Sequence, residues 1–202
     1  MKPEPKKHRR RSLRLKDYDY AQSGAYFVTI VAQERTCLFG NVLDGAMQLN
    51  TAGRMVQAIC SELSLHYPSV ATDAFVVMPN HFHGIVILVG IGPRAYPKSG
   101  QSQGIAPTIS LPDVVGRFKS LTTKRYADGV KQSAWVPFPG KLWQRNYYEH
   151  IIRDAKSLDR LREYILNNPL RWSFDAENPA AGDREPILPN EPESCFVTNS
   201  NR

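Results

Sequence analysis

Two histidines separated by one residue stand at the start of an apolar segment, as His81-Phe82-His83. On a β-strand, residues two apart point to the same face, so both imidazoles can converge on one ion while Phe82 enters the core. The alternative is a pair of core histidines, each satisfied by a hydrogen-bond partner. If the two histidines bind a metal, they supply two of its ligands, which is about half of a metal site.

A tyrosine and an asparagine four residues apart, Tyr164 and Asn168, form a second candidate pair. Residues at this spacing are neighbours on one face of a helix. A tyrosine hydroxyl can attack phosphorus, and an amide oxygen one turn later can bind a hard cation. The alternative is a packing tyrosine with a helix end before Pro169.

The segment WQRNYYEH brings further polar and aromatic groups together. Tyr147 and Tyr148 compete with Tyr164 as nucleophiles. With Arg145 and Arg153 they are candidates for holding a phosphate or an unstacked base. Packing at a strand end is the alternative interpretation.

The chain of 202 residues has a formal charge of +7, which favours a polyanionic partner. Residues 1–16 hold eight Lys or Arg and one Glu, and we expect them to form a disordered basic arm. Its arginines are candidate DNA contacts, either specific or nonspecific. They are Arg9, Arg10, Arg11 and Arg14.

The rest of the chain predicts one domain over residues 17–172, with a flexible insertion at about 90–109 that is rich in Gly, Pro, Ser and Gln. Residues 173–202 read as an acidic, Pro-rich tail. Three irregularly spaced cysteines, no long apolar run and no secretion signal predict a cytoplasmic protein without membrane contact. No nucleotide cofactor is expected, because the chain lacks a P-loop or a Gly-x-Gly-x-x-Gly motif.

Apolar periodicity and turn residues predict the elements that must position these side chains. The order is strand, hairpin, helix, strand, strand, helix, strand, helix, which predicts an α+β ferredoxin-like split β-α-β sandwich with helices on one face of a central antiparallel sheet. The predicted strands lie at 26–32, 37–39, 46–49, 73–78, 82–89 and 141–145, and the helices at 51–67, 111–128 and 154–167. The strands at 73–78 and 82–89 should pair at the sheet centre.

Several segments in this order resemble one family. FVVMPNHFHGIVIL, LWQRNYYEHIIRD and LREYILNNPLRW are similar to segments of the REP-associated tyrosine transposases, relatives of the small single-tyrosine insertion-sequence transposases. The entry RRRSLRLKDYDYAQSGAYFVTI, with CLFG after it, is also similar. The resemblance covers about residues 9–172. The 90–109 stretch is longer than in compact relatives and residues 173–202 are extra, so neither inherits a role.

The resemblance implies a site and a reaction. His81 and His83 are the implied metal ligands with Asn168 as the third, and Tyr164 is favoured as nucleophile because it has the family's tyrosine-to-amide spacing. Mg²⁺ or Mn²⁺ suits this mixed donor set. The implied reaction is cleavage and rejoining of single-stranded DNA at REP-like hairpins through a 5′-phosphotyrosine, by a monomer or homodimer. The segment 9–14 is then expected at the foot of the hairpin.

Two other classes of function remain open from the sequence. One is a catalytically silent protein that binds DNA or RNA hairpins and has kept the fold. The other is a metal-dependent hydrolase with a water nucleophile, in which cleavage would survive Tyr164→Phe and leave no protein adduct.

Overall fold

A computed structural model of the chain describes residues 18–89 and 109–181. The predictions for the basic arm with its four arginines, for nearly all of the 90–109 stretch and for the tail after residue 181 lie outside the described residues.

A four-stranded antiparallel sheet in the spatial order β4-β5-β1-β6 forms the framework, and β2 and β3 form a separate hairpin. This order, with its intervening helices, is that of the predicted ferredoxin-like α+β sandwich, so the predicted fold class is confirmed. The strands are β1 (Gly24–Val31), β2 (Gly40–Leu43), β3 (Ala46–Leu49), β4 (Val70–Val77), β5 (His81–Leu88) and β6 (Tyr148–Ile152), and the helices are α1 (Thr51–His66), α2 (Leu111–Ser133) and α3 (Ala155–Asn167).

Three predicted details of the strands are wrong. The strands β1 and β5 are central, whereas β4 lies at an edge of the sheet. The first hairpin strand begins at Gly40, after the predicted 37–39. The last strand is β6, whereas the predicted 141–145 forms only an isolated bridge from Trp143 to Ala32. This segment lies beside Ala32, just past the end of β1, and Trp143 packs into the core.

The helices cover both faces of the sheet. The first two, α1 and α2, pack against one face, on side chains such as Val28 and Phe82. The third, α3, packs against the other, where Ile165 meets Phe27 and Ile85. The prediction that the helices share one face therefore holds for α1 and α2 but not for α3. The face under α3 is the one from which His81 and His83 project, since they alternate with Phe82 along β5.

Local chemistry defines where these elements begin. Asn50 accepts a hydrogen bond from the Gly53 amide at the start of α1, and Asp154 accepts one from Ser157 at the start of α3. The β2–β3 hairpin turns at Asp44 and Gly45, whose φ angles of 51° and 73° match the positive values that a type I′ turn requires.

Within the described ranges, no helix combines the length and the apolar character needed to cross a membrane.

Candidate metal and nucleophile site

The two histidines at the start of β5 bring their ring nitrogens together. The Nε2 atoms of His81 and His83 are 3.0 Å apart, and the residues are 0% and 4% exposed. Phe82 between them packs against Phe118 of α2 on the other face, with the two rings tilted and their centroids 4.9 Å apart. The alternation that the sequence predicted therefore brings both imidazoles to one point inside the protein.

Asn80 sets the orientation of the His81 ring. Its Nδ2 donates to the carbonyl oxygens of Arg35 and Glu177, at 2.9 and 2.6 Å, which turns Oδ1 toward His81 Nδ1 at 2.9 Å. Because Oδ1 can only accept, we assign the His81 proton to Nδ1. His81 Nε2 is then left with its lone pair toward the site.

Thr29 on β1 supports the second imidazole. Its hydroxyl lies 2.8 Å from His83 Nδ1, and the two residues face each other across the β1–β5 register. Two hydrogen-bond arrangements are possible. In the first, the Thr29 hydroxyl donates to His83 Nδ1 while His83 Nε2 donates to His81. In the second, His83 carries its proton on Nδ1 and donates to the Thr29 hydroxyl. In the second state His83 Nε2 is free to act as a ligand, so Thr29 provides the supporting contact typical of metal-binding histidines.

Burial keeps both imidazoles neutral. It lowers the pKa of His81 to about 3, and the neighbouring Asn168 side chain opposes this shift in part. Burial also lowers the pKa of His83 well below its usual value, helped by repulsion from His81 and opposed by the Asp175 carboxylate. Near neutral pH both rings are therefore in the form that binds metals.

Asp175 supplies a carboxylate to the same point. Its Oδ2 lies 3.7 Å from His81 Nε2 and its side chain is 7% exposed. Its Oδ1 accepts a hydrogen bond of 2.7 Å from the Glu177 amide, so the carboxylate is oriented. Among the described residues, His81, His83 and Asp175 form a group whose candidate ligand atoms all lie within 4.8 Å of one another.

The segment 175–178, which we call the strap, is fixed across the histidine end of the sheet. Asn80 donates to the Glu177 carbonyl, and Arg35 Nε donates to Glu177 Oε2 at 2.7 Å. Asn178 Nδ2 donates to the Trp172 carbonyl at 2.8 Å. The sequence assigned these residues to a tail without a role, whereas the structure joins them to the site.

Asn168 follows the last residue of α3 and is 1% exposed. Its Oδ1 is buried and has no hydrogen-bond partner in the part of the chain that the structure describes. A buried amide oxygen without a partner costs about 1–3 kcal/mol, which a cation would offset. Two imidazole nitrogens, a carboxylate and this amide oxygen fit the Mn²⁺ or Mg²⁺ that the sequence predicted.

Tyr164 lies against the histidine pair on the same face of the sheet. Its ring centroid is 5.4 Å from that of His83 and 5.9 Å from that of Phe27, both in edge-on geometry. Burial raises the pKa of its hydroxyl to about 12; Asp175 adds to the shift, and the Asn168 side chain opposes it. The phenol is therefore neutral near pH 7, and its ionisation needs a nearby positive charge.

The two competing tyrosines, Tyr148 at the start of β6 and Tyr147 just before it, pack on opposite faces of the sheet. Tyr148 pairs with Thr29 and its ring is 6.3 Å from Phe27, so it shares the face of the histidines. Tyr147 packs with the core under α1 and α2, where the Lys119 ammonium lies 5.4 Å from its ring centroid. Of the two, only Tyr148 is on the face where it could compete with Tyr164.

The other predicted DNA contacts flank β6. Arg145 and Arg153 are exposed. The backbone before β6 is held by Lys119, whose Nζ donates to the carbonyls of Gln144, Arg145 and Asn146 at 2.9, 3.3 and 3.0 Å. The Arg145 side chain thus extends to solvent from a fixed backbone.

The sequence did not identify three residues of the site: Thr29, Asn80 and Asp175. Asn80 lies inside the segment FVVMPNHFHGIVIL, but a Pro-Asn pair between two strands is typical of a turn and gives no sign of a site residue. Thr29 could have been found from the pairing of β1 with β5. No spacing signal connects Asp175 with the histidines, because it lies 92 positions after His83 in the chain.

The comparisons with known proteins agree with the resemblance in the sequence. The chain is 38% identical over 182 residues to an uncharacterized protein of Haemophilus influenzae, which covers 83% of this chain and 92% of that one. It is 27% identical over 163 residues to a second protein of the same organism, named "Putative REP-associated tyrosine transposase", covering 77% and 76% of the two chains. No protein-family model matches the chain.

A solved structure described as a REP-associated tyrosine transposase bound to a REP hairpin is 21% identical, with a TM-score of 0.49 over 79% of this chain and 74% of that one. The ordered motifs and the second of these relatives make the chain similar to transposases. Among them, it is similar to the REP-associated tyrosine transposases.

Proposed function

We propose that this chain cleaves and rejoins single-stranded DNA through a covalent bond between Tyr164 and a 5′-phosphate. One observation carries the proposal: the Tyr164 ring lies 5.4 Å from the His83 ring, on the face of the sheet where His81 and Asp175 also converge. A nucleophile beside a candidate metal group is an arrangement suited to metal-assisted phosphoryl transfer.

His81, His83 and Asp175 would hold a divalent cation, Mn²⁺ or Mg²⁺, with the buried Asn168 oxygen as a further ligand. The ion supplies Lewis-acid polarisation of a phosphate oxygen. Thr29 and Asn80 keep the two imidazoles in orientation through their Nδ1 atoms. Mn²⁺ is favoured over Mg²⁺ because two of the donors are nitrogens.

The hydroxyl of Tyr164 is the attacking group. As its oxygen bonds to phosphorus, the bond from phosphorus to the 3′-oxygen breaks; the phenol loses its proton and the 3′-oxygen gains one as a hydroxyl. The Asp175 charge opposes ionisation of Tyr164, and a cation held by that carboxylate would offset this effect. Attack by a 3′-hydroxyl reverses both bond changes, so no nucleotide cofactor is required.

The substrate is a DNA hairpin of the REP type with single-stranded flanks, as the similarity to REP-associated tyrosine transposases suggests. Arg145 and Arg153 flank β6 and are available for phosphate contacts. The arm would add further phosphate contacts through its clustered arginines.

The test is a denaturing gel of labelled hairpin oligonucleotides, drawn from inverted repeats beside the gene of this chain, incubated with the protein and Mn²⁺. We expect a covalent adduct with wild type, Tyr148→Phe and Tyr147→Phe, and none with Tyr164→Phe. Tyr164→Phe removes one oxygen and little packing, so hairpin binding should be retained.

The other outcomes are equally defined. An adduct that persists in Tyr164→Phe and disappears in Tyr148→Phe moves the nucleophile to β6. Cleavage without an adduct, unaffected by Tyr164→Phe, indicates a water nucleophile and a hydrolase. Hairpin binding by wild type without any cleavage under these conditions indicates a silent binding protein.

A further inference from the structure

The edge strand β4 is irregular where α3 crosses it. Its register on β5 shifts between Thr72 and Phe75, so two residues of β4, Asp73 and Ala74, lie opposite a single residue of β5, Ile85. This is the geometry of a β-bulge, which redirects a side chain. Ile85 faces α3, and the bulge presents Asp73 to the same helix.

Arg162 of α3 binds this redirected carboxylate with two of its nitrogens. Nε lies 3.3 and 3.1 Å from the two oxygens of Asp73, and one terminal nitrogen lies 2.6 Å from Oδ2. The other terminal nitrogen donates to Asp159 at 2.9 Å. A two-point contact between guanidinium and carboxylate fixes direction as well as distance. Asp73 is 21% exposed, whereas Asp159 is 71% exposed, so the Asp73 contact is the more shielded one.

The helix geometry places Arg162 and Tyr164 on opposite edges of the apolar stripe of α3. With 3.6 residues per turn, residues two apart are about 200° apart around the axis. The stripe itself, Leu158, Leu161 and Ile165, packs on the sheet through apolar contacts, which have little directional preference. Rotation of α3 about its axis would therefore move Tyr164 unless one edge of the helix is fixed.

We propose that Asp73 and Arg162 are positioning residues that fix the rotation of α3 and thereby hold the Tyr164 hydroxyl at the histidine pair. This inference rests on the proposed function of Tyr164. A rotation of about 10° displaces an atom about 6 Å from the helix axis by about 1 Å. A misplacement of about 1 Å can lower a reaction rate about 100-fold. The bulge in β4 then contributes to positioning Tyr164, because it presents Asp73 to Arg162.

The experiment compares Asp73→Asn, Arg162→Lys and the exchanged pair Asp73→Arg with Arg162→Asp. Asp159→Asn is the matched control, since it removes the exposed partner of the same guanidinium. Three quantities are measured on the full chain with Mn²⁺ and a hairpin oligonucleotide: the single-turnover rate of adduct formation at saturating DNA, the Kd for the hairpin, and hydrogen exchange of residues 155–167 without DNA.

For Asp73→Asn we expect the rate to fall between about 10-fold and about 100-fold, with the Kd within about two-fold and faster exchange across α3. Arg162→Lys keeps the charge but loses the two-point contact, so its rate should fall too. The exchanged pair should regain part of the rate, and Asp159→Asn should match wild type.

An unchanged rate in both Asp73→Asn and Arg162→Lys overturns the proposal, as does a rate loss matched by an equal loss of hairpin binding or of folded protein. If Asp73→Asn does not fold, the decision rests on Arg162→Lys. A wild type that forms no adduct refutes the proposed function instead. In that case hydrogen exchange, which needs no DNA, still shows whether the contact between Asp73 and Arg162 orders α3.

Discussion

The ring of Tyr164 lies edge-on to the ring of His83, with 5.4 Å between their centroids, although 81 residues separate them in the chain. The contact exists because α3 covers the sheet face opposite to α1 and α2, and β5 turns His83 to that face. An aromatic contact of this kind orients a ring. It brings the proposed nucleophile and a candidate metal ligand together within one chain.

Replacing Asp175 by Asn should weaken metal binding. The change keeps the shape of the side chain and an oxygen for the Glu177 amide, but removes the negative charge near His81. We expect the Kd for Mn²⁺ to rise at least about ten-fold, measured by isothermal titration calorimetry. Glu177→Gln is the control, because its carboxylate binds Arg35 at the surface and should change the Kd less than two-fold. Equal affinities for wild type and Asp175→Asn would exclude the carboxylate as a ligand.

Asn80→Ala should also weaken metal binding, although Asn80 is not itself a proposed ligand. The variant loses the acceptor for His81 Nδ1 and the donor to the Glu177 carbonyl, so both the imidazole and the strap become less ordered. Loss of such a supporting contact costs between about 10-fold and about 100-fold in metal affinity. In the same titration, Asn178→Ala, which loses its contacts with Trp172 and Ala180 but none with His81 or Glu177, should stay closer to wild type. If both variants bind alike, Asn80 does not support the site.

The metal-free protein should lose stability in mild acid. The folded-state pKa of His81 is about 3 and that of His83 is well below its usual value, whereas both take up protons near pH 6.5 in the unfolded chain. Between these values the unfolded state binds more protons, so the free energy of unfolding falls as the pH falls below about 6.5. Urea titrations in EDTA at about pH 7.5, 6 and 5 measure this slope.

Two variants test whether the buried imidazoles cause this change of the free energy of unfolding with pH. His81→Gln is the test variant and His66→Gln is its control. His66 is exposed on α1, so its replacement should leave the slope nearly unchanged. His81→Gln removes one of the two buried imidazoles and should flatten the slope. A slope that is the same in wild type and His81→Gln would contradict the assignment of a buried neutral imidazole.

The sequence could predict the parts of the site that depend on short-range geometry. Alternation along β5 predicts that His81 and His83 share a face, and helical spacing predicts that Tyr164 and Asn168 do. In the structure the two histidine rings meet at their Nε2 atoms, and the Asn168 side chain affects the pKa of both His81 and Tyr164. Apolar periodicity also gave α1 and α3 nearly to the residue.

The parts that could not be predicted depend on how distant segments pack. An amphipathic pattern shows that α3 has an apolar stripe, but not which face of the sheet receives it. The role of Asp175 depends on a strap held by Asn80 and Arg35, in a segment whose acidic and Pro-rich composition predicts a tail. The bulge at Asp73 has no local signature, since a polar residue in an edge strand is ordinary.

Lys119 provides a final prediction, about the loop before β6. Its ammonium donates to the carbonyls of Gln144, Arg145 and Asn146. Lys119→Met keeps the apolar stem and removes the donors, so the backbone that carries the exposed Arg145 should loosen. We expect faster hydrogen exchange at residues 144–147 and weaker hairpin binding. Lys124→Met, an exposed lysine on the same helix, is the control for loop exchange.

The pH dependence of stability gives this prediction a second, independent measurement. Burial lowers the pKa of Lys119 to about 8, below the value of 10.5 that applies to the unfolded chain. Between about pH 8 and pH 10.5 the unfolded chain therefore holds a proton that the folded chain has lost, so this group makes the free energy of unfolding rise with pH. Lys119→Met lacks that contribution, and the stability difference, wild type minus variant, should grow between about pH 7.5 and pH 9.5 in urea titrations. A difference that stays constant or shrinks over this interval, while Lys124→Met behaves like wild type, would show that Lys119 keeps an ordinary pKa and is not buried against the loop.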